Sequence, residues 1–146
     1  MIVRLGARER EAIAAAVREA YPHEGCGFLL GESDVTEIRV AEVRAATNAR
    51  DDSPHNRYMI EPEEFLRVLE DAETRGLDVV GFYHSHPDAP GVPSTFDRDH
   101  AWPHYAYLVV SVRDRMVGEC RTWLLNEESR EFEEVEWTDP ARAARA

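Results

Sequence analysis

The chain has 146 residues and a net charge of −12, with 29 acidic residues against 17 basic ones. This length predicts one domain that buries about two-thirds of the surface its unfolded chain exposes. An acidic balance of this size argues against binding to nucleic acid, for which a basic face is expected.

All 17 basic residues are arginine, since the sequence contains no lysine. Two explanations stay open: a genome rich in G and C, which favours arginine and alanine codons, or adaptation to high salt, where a dense carboxylate surface keeps a protein in solution.

No apolar segment has the length of a transmembrane helix or the character of a signal peptide, so we expect a cytoplasmic location. Cys26 and Cys120 lack metal-site spacing and are expected to be reduced core residues.

The first half of the chain alternates strand and helix patterns. In chain order these are a short strand over 1–5, an amphipathic helix over 8–20 ended by Tyr21-Pro22, strands over 26–30 and 35–46, a loop over 48–56 and a short strand over 57–60. Pro62 suits the first position of a second helix that ends near Gly76, with a buried face of Phe65, Leu66, Leu69 and Ala72.

The second half is dominated by strand patterns. They cover the apolar run 79–83, then 105–112 and 116–125 joined by a tight turn, and a last edge strand over 132–137. Because helices and strands alternate at first and strands then come one after another, the sequence predicts a mixed central sheet flanked by helices. We expect the domain to cover residues 1–138, with 139–146 as a frayed tail.

The apolar run leads directly into the segment His84-Ser85-His86-Pro87. Residues two apart on a strand project from the same face and lie roughly 6.6 Å apart along it, so both imidazoles can point to one place between them. A lone strand histidine is more often packed or solvated than a metal ligand, so the pair indicates a metal site only together with a further ligand.

A candidate for that further ligand comes after a loop rich in proline, in the segment Ser94-Thr95-Phe96-Asp97. Ser94 is a natural N-cap, which places Asp97 in the first turn of a short helix. Two histidines and one carboxylate that converge from a strand end and a helix start are three protein ligands. A Zn²⁺ ion with three protein ligands keeps its fourth tetrahedral position open for water, as in catalytic rather than structural zinc sites.

The joint pattern resembles the JAMM motif of the JAMM/MPN-plus (JAB domain) zinc metallopeptidases. The resemblance extends upstream to the segment Pro22-His23-Glu24-Gly25-Cys26-Gly27, and it covers roughly residues 1–137. It implies the JAB/MPN fold, an α/β fold in which a mixed, curved β-sheet is sandwiched by helices with an architecture like that of cytidine deaminases. It also implies that His84, His86 and Asp97 bind zinc.

The resemblance further gives roles to two residues that do not bind the metal. Glu24 is expected to be the catalytic base that shuttles a proton from water to the leaving amine, and Ser94 to donate its hydroxyl to the developing oxyanion or the water. Ser85, between the histidines, is expected on the opposite face of the strand, in packing or in a hydrogen bond.

The short loops around the motif are similar to those of the stand-alone bacterial members that process sulfur-carrier proteins. The resemblance therefore implies zinc-dependent hydrolysis of a peptide or isopeptide bond after the C-terminal Gly-Gly of a small ubiquitin-like or sulfur-carrier protein, either an extension or a target lysine. One alternative is a non-catalytic, zinc-containing module that binds ubiquitin-fold proteins. Another is a DNA-repair-associated JAB protein, although those typically read His-Asn-His-Pro-Ser-Gly and the charge opposes DNA.

Overall fold

The computed structural model describes residues 1–48 and 59–140 of the protein. Within these ranges the chain forms seven strands and three helices. The strands are β1 (Ile2–Arg4), β2 (Cys26–Ser33), β3 (Glu37–Ala46), β4 (Asp78–Pro87), β5 (Ala106–Arg113), β6 (Met116–Leu125) and β7 (Phe132–Thr138). The helices are α1 (Ala7–Ala20), α2 (Pro62–Thr74) and α3 (Thr95–Asp99).

The strands form one sheet in the order β1-β3-β2-β4-β5-β6-β7, which closes on itself through β1. Strand β1 pairs in parallel with both β3 and β7, and β4 pairs in parallel with β5, whereas the other pairs are antiparallel. The prediction of a mixed sheet with helices is confirmed. The prediction that 132–137 is an edge strand is wrong, because β1 occupies the far side of β7. The sandwich layering and the deaminase-like architecture stay predictions.

Two clusters of apolar side chains pack on opposite faces of the central strands. Leu29 belongs to the cluster that holds Ile13 and Val17 of α1, whereas its neighbours Phe28 and Leu30 belong to the cluster that holds Val68 and Ala72 of α2. Since successive residues of a strand point to opposite faces, α1 and α2 cover different faces of β2. Burying a side chain of this size contributes about 1.5–3 kcal/mol relative to leaving it exposed.

Several sequence predictions change in detail. Leu66, predicted on the buried face of α2, is 56% exposed, because Val68 and Ala72 turn toward the core instead. Residues 59 and 60 are not in a strand, and the rest of the loop and strand predicted over 48–60 lies outside the described residues, apart from Asn48. The tail that the sequence predicts to fray, 139–146, also lies mostly outside them, while Asp139 forms an ion pair with Arg10 at 3.1 Å.

Close contact between β4 and β5 fixes the strand that carries the histidines. Gly81 lies so near β5 that a Cβ at this position would be 2.3 Å from the carbonyl oxygen of Ala106, so only glycine permits this approach.

None of the helices within 1–48 and 59–140 is long and apolar enough to cross a membrane.

Candidate metal centre

The two histidines project from the same face of β4 at its carboxyl end. His84 is fully buried and the His86 side chain keeps 11% exposure. Their Nε2 atoms lie 3.2 Å apart, with the rings tilted by 58°. The period of the strand therefore places both imidazole nitrogens at one point, as the sequence predicts.

Asp97 reaches the same point from the first turn of α3. The side chain of Ser94 accepts a hydrogen bond from the Asp97 amide, and the Ser94 amide donates to Asp97 Oδ2 at 2.8 Å. This capping box orients the carboxylate. Asp97 Oδ2 lies 3.0 Å from Nε2 of His84 and 3.0 Å from Nε2 of His86.

The hydrogen bond on the other side of His86 shows which nitrogen faces the site. Nδ1 lies 3.0 Å from the carbonyl oxygen of Pro90, which only accepts, so Nδ1 carries the hydrogen. In the neutral ring Nε2 then has a lone pair that faces the Asp97 carboxylate. Two acceptors 3.0 Å apart need a cation between them, either a proton or a metal ion.

The electrostatics of the group agree with this requirement. Burial raises the pKa of Asp97, but the charge of His84 and the hydrogen bonds from His84, His86 and the Ser94 amide outweigh it, so the pKa lies well below the usual range. Burial is the largest single influence on the pKa of His86 and lowers it, but the hydrogen bond to Asp97, the negative charges of Asp97 and Glu24 and the Pro90 carbonyl together raise the pKa by more, so the net shift is upward. The site therefore favours an anionic carboxylate with positive charge beside it.

The donor set has the chemistry and spacing of a metal site. Around a tetrahedral Zn²⁺ with bonds of about 2.0–2.1 Å, neighbouring ligand atoms are about 3.3 Å apart. The separations between the donor atoms of His84, His86 and Asp97 are 3.0, 3.0 and 3.2 Å. These residues can hold a metal ion.

Glu24 lies beside the histidines, although 60 residues separate it from His84 in the sequence. It is 2% exposed and lies two residues before β2, which pairs with β4 so that Cys26 is opposite His84. One carboxylate oxygen of Glu24 and one ring nitrogen of each histidine lie within 4.8 Å of one another. Two candidate ligand sets therefore share the histidine pair, one completed by Asp97, whose Oδ2 lies 3.0 Å from each Nε2, and one completed by Glu24.

The loop between the histidines and α3 is held by the neighbouring strands. Trp123 Nε1 donates to the carbonyl oxygen of Gly91 at 3.0 Å, Ser111 Oγ donates to that of Ala89 at 2.7 Å, and the Gly91 amide donates to Glu119 at 2.8 Å. These bonds fix the loop that presents the Pro90 carbonyl to His86. Sequence reasoning missed them, because the partners come from β5 and β6 and no local pattern marks them.

Ser94 lies at the rim of the site and is exposed. Its oxygen accepts from the Asp97 amide, which leaves the hydroxyl hydrogen available to donate elsewhere. The structure thus places Ser94 in direct contact with Asp97, and its catalytic role stays a prediction.

An apolar groove of about 600 Å³ runs alongside Asp97. Its walls come from residues 59–60, the outer face of α2, α3 and the segment that follows α3, and they include Met59, Leu66, Phe96 and Trp102. Leu66 is 56% and Trp102 67% exposed. Exposed large apolar side chains beside a polar centre are typical of a binding groove.

Comparison with known proteins gives one family and several relatives. The family model described as prokaryotic homologs of the JAB domain matches residues 6–126. The chain is 41% identical over 119 residues to a desampylase of Haloferax volcanii, covering 78% of this chain and 84% of that protein. It is 33% identical over 100 residues to a probable TtuB-protein conjugate cleaving protease of Thermus thermophilus, covering 68% and 62%. A solution structure of a protein from Desulfitobacterium hafniense has a TM-score of 0.81 at 30% identity, over 94% of this chain and 92% of that one.

Proposed function

Because the chain belongs to the family of prokaryotic homologs of the JAB domain, we propose that it is a zinc-dependent peptidase. It hydrolyses the peptide or isopeptide bond after the C-terminal Gly-Gly of a small ubiquitin-like or sulfur-carrier protein. The observation that carries this proposal is the convergence of His84, His86 and Asp97 within 3.2 Å of one another, beside the buried carboxylate of Glu24.

The residues divide the chemistry between them. Zn²⁺ bound by His84, His86 and Asp97 would polarise the scissile carbonyl and lower the pKa of a water molecule to about 7. Glu24 takes a proton from the attacking water and delivers it to the leaving amine nitrogen as the C–N bond breaks. The hydroxyl of Ser94 donates a hydrogen bond to the carbonyl oxygen as negative charge develops on it, an interaction worth roughly 3–4 kcal/mol in the transition state.

The substrate class is inferred from the relatives and from the groove. One relative is named for cleaving protein conjugates of TtuB and another is a desampylase, so we propose conjugates or extensions of a comparable small protein here. The groove beside Asp97 offers apolar walls for the tail of such a partner. Glycines at the end of the tail have no side chains and allow the backbone to approach the metal closely.

The test uses a ubiquitin-like carrier whose Gly-Gly tail is extended by one cysteine, and in parallel the same carrier joined to a lysine. We expect cleavage after the second glycine by the zinc-loaded protein, loss of cleavage with chelator, and recovery on adding zinc, all read by mass. Cleavage by a zinc-free sample or by His84→Ala would refute the zinc mechanism. A zinc-loaded protein that binds the carrier and leaves both substrates intact would support a binding module instead.

A further inference from the structure

Ser85 lies between the two histidines of β4 but faces away from the metal centre. It is 1% exposed. Ser85 Oγ accepts a hydrogen bond from the amide of Gly25 at 2.8 Å, and the Ser85 amide donates to the Gly25 carbonyl oxygen at 2.9 Å. One residue of β4 therefore satisfies both backbone groups of the residue directly after Glu24.

The contact continues the sheet past the last regular pair. The ladder between β2 and β4 ends with Cys26 opposite His84, so Gly25 and Ser85 would form the next pair. In that pair the hydroxyl oxygen of Ser85 accepts the Gly25 amide hydrogen that a strand carbonyl would otherwise accept. On its other side Gly25 packs against α1, where a Cβ would lie 3.1 Å from the Cβ of Ala20. Gly25 is thus held between α1 and β4.

The backbone of Glu24 itself is held as well. The carbonyl oxygen of Glu24 accepts a hydrogen bond from Asn48 Nδ2 at 3.2 Å, and Asn48 Oδ1 accepts from the Met59 amide at 3.0 Å. The backbone of Glu24 is therefore held by Asn48 at its own carbonyl oxygen and by Ser85 through the next residue, Gly25. Of these two, only Ser85 belongs to the strand that carries the histidines.

We propose that Ser85 is a positioning residue that sets the distance between the Glu24 carboxylate and the metal centre. Residues 84 and 86 aim their imidazoles at the centre, and residue 85 between them fixes the segment of the base from the opposite face. We therefore expect a displacement of β4 to move the two histidines and the base together. This inference rests on the proposed function, in which Glu24 is the base.

The first test is Ser85→Ala, which deletes the acceptor of the Gly25 amide. A base that is misplaced by a fraction of an ångström loses proton-transfer efficiency, so we expect kcat to fall about 10- to 100-fold. We expect KM to change by less than about twofold and zinc content to stay at the wild-type level, because the metal-facing side chains are untouched. A matched control is Thr122→Val, which removes a buried hydroxyl from β6, a strand that does not pair with β2; its kcat should stay near that of the wild type.

The second test separates positioning from general loss of stability. If Ser85 acts through Glu24, Ser85→Ala should have no further effect on kcat in the Glu24→Gln protein. Equal losses in both backgrounds would overturn the proposal, as would a loss expressed in KM or in zinc content.

A third readout does not depend on activity. In the metal-free protein, Ser85→Ala should speed hydrogen exchange of the Gly25 amide while the amides of Phe28 and Leu30 keep their protection. Unchanged exchange at Gly25 would refute the hydrogen bond and the proposal with it. A wild-type protein with the expected exchange behaviour but no peptidase activity would refute the proposed function and, with it, the role of Ser85 in positioning a base.

Discussion

Replacing Glu24 and Asp97 by their amides distinguishes the base from the third metal ligand. Both side chains lie beside the histidine pair, so each is a candidate for either role. The spacing favours Asp97 as the ligand, because its Oδ2 is 3.0 Å from both Nε2 atoms, close to the separation of about 3.3 Å expected around zinc. For Glu24, one carboxylate oxygen lies within 4.8 Å of a ring nitrogen of each histidine.

The expected changes in zinc binding and in kcat depend on which of the two residues is the base and which is the ligand. Glu24→Gln keeps the shape of the side chain and leaves the three ligands His84, His86 and Asp97 unchanged, so zinc content should stay at one ion per chain. Loss of a general base costs about 10²–10⁴ in kcat, or roughly 3–5 kcal/mol of transition-state stabilisation. Asp97→Asn removes a charged ligand, and we expect zinc affinity to fall at least about 100-fold, since loss of even the residues that support a ligand costs about 10- to 100-fold.

The assay combines three measurements on each variant. Zinc content after dialysis comes from mass spectrometry, zinc affinity from competition with a chromophoric chelator, and kcat from cleavage of the extended carrier. Glu128→Gln, a substitution of an exposed glutamate, is the control for the chemical change itself. If the Glu24→Gln protein lost its zinc and the Asp97→Asn protein kept it, Glu24 would be the ligand and Asp97 the base. That result would refute the reasoning from donor spacing.

Two further predictions concern the charge and the thiols. With a net charge of −12, repulsion acts over about 30 Å in dilute buffer but over about 3 Å at 1 M salt, so Tm should rise steadily from dilute buffer to molar KCl; a flat Tm would leave genome composition as the explanation for the missing lysine. Burial raises the pKa of both Cys26 and Cys120 to about 12. At about pH 8 a disulfide reagent should therefore react with neither thiol in the native protein and with both in guanidinium, and rapid labelling of the native state would contradict this.

The sequence by itself determined the parts of the site that depend on neighbours in the chain. The period of a strand puts His84 and His86 on one face and Ser85 on the other, and the spacing from Ser94 to Asp97 makes a capping box. These relations span a few residues, so backbone geometry alone fixes them. The same local rules predicted the end of α1 and most strand positions.

Only the tertiary structure decided which distant segments meet. Glu24 reaches the histidines because β2 pairs with β4, and β7 has a second neighbour because β1 closes the sheet. The pattern of a strand predicts which of its faces is buried but carries no information about its partner strands. An edge strand and a strand that is paired on both sides therefore have the same sequence pattern. For the same reason the sequence placed Ser85 on the correct face but did not identify Gly25 as its partner, since that contact depends on how α1 and two strands pack together.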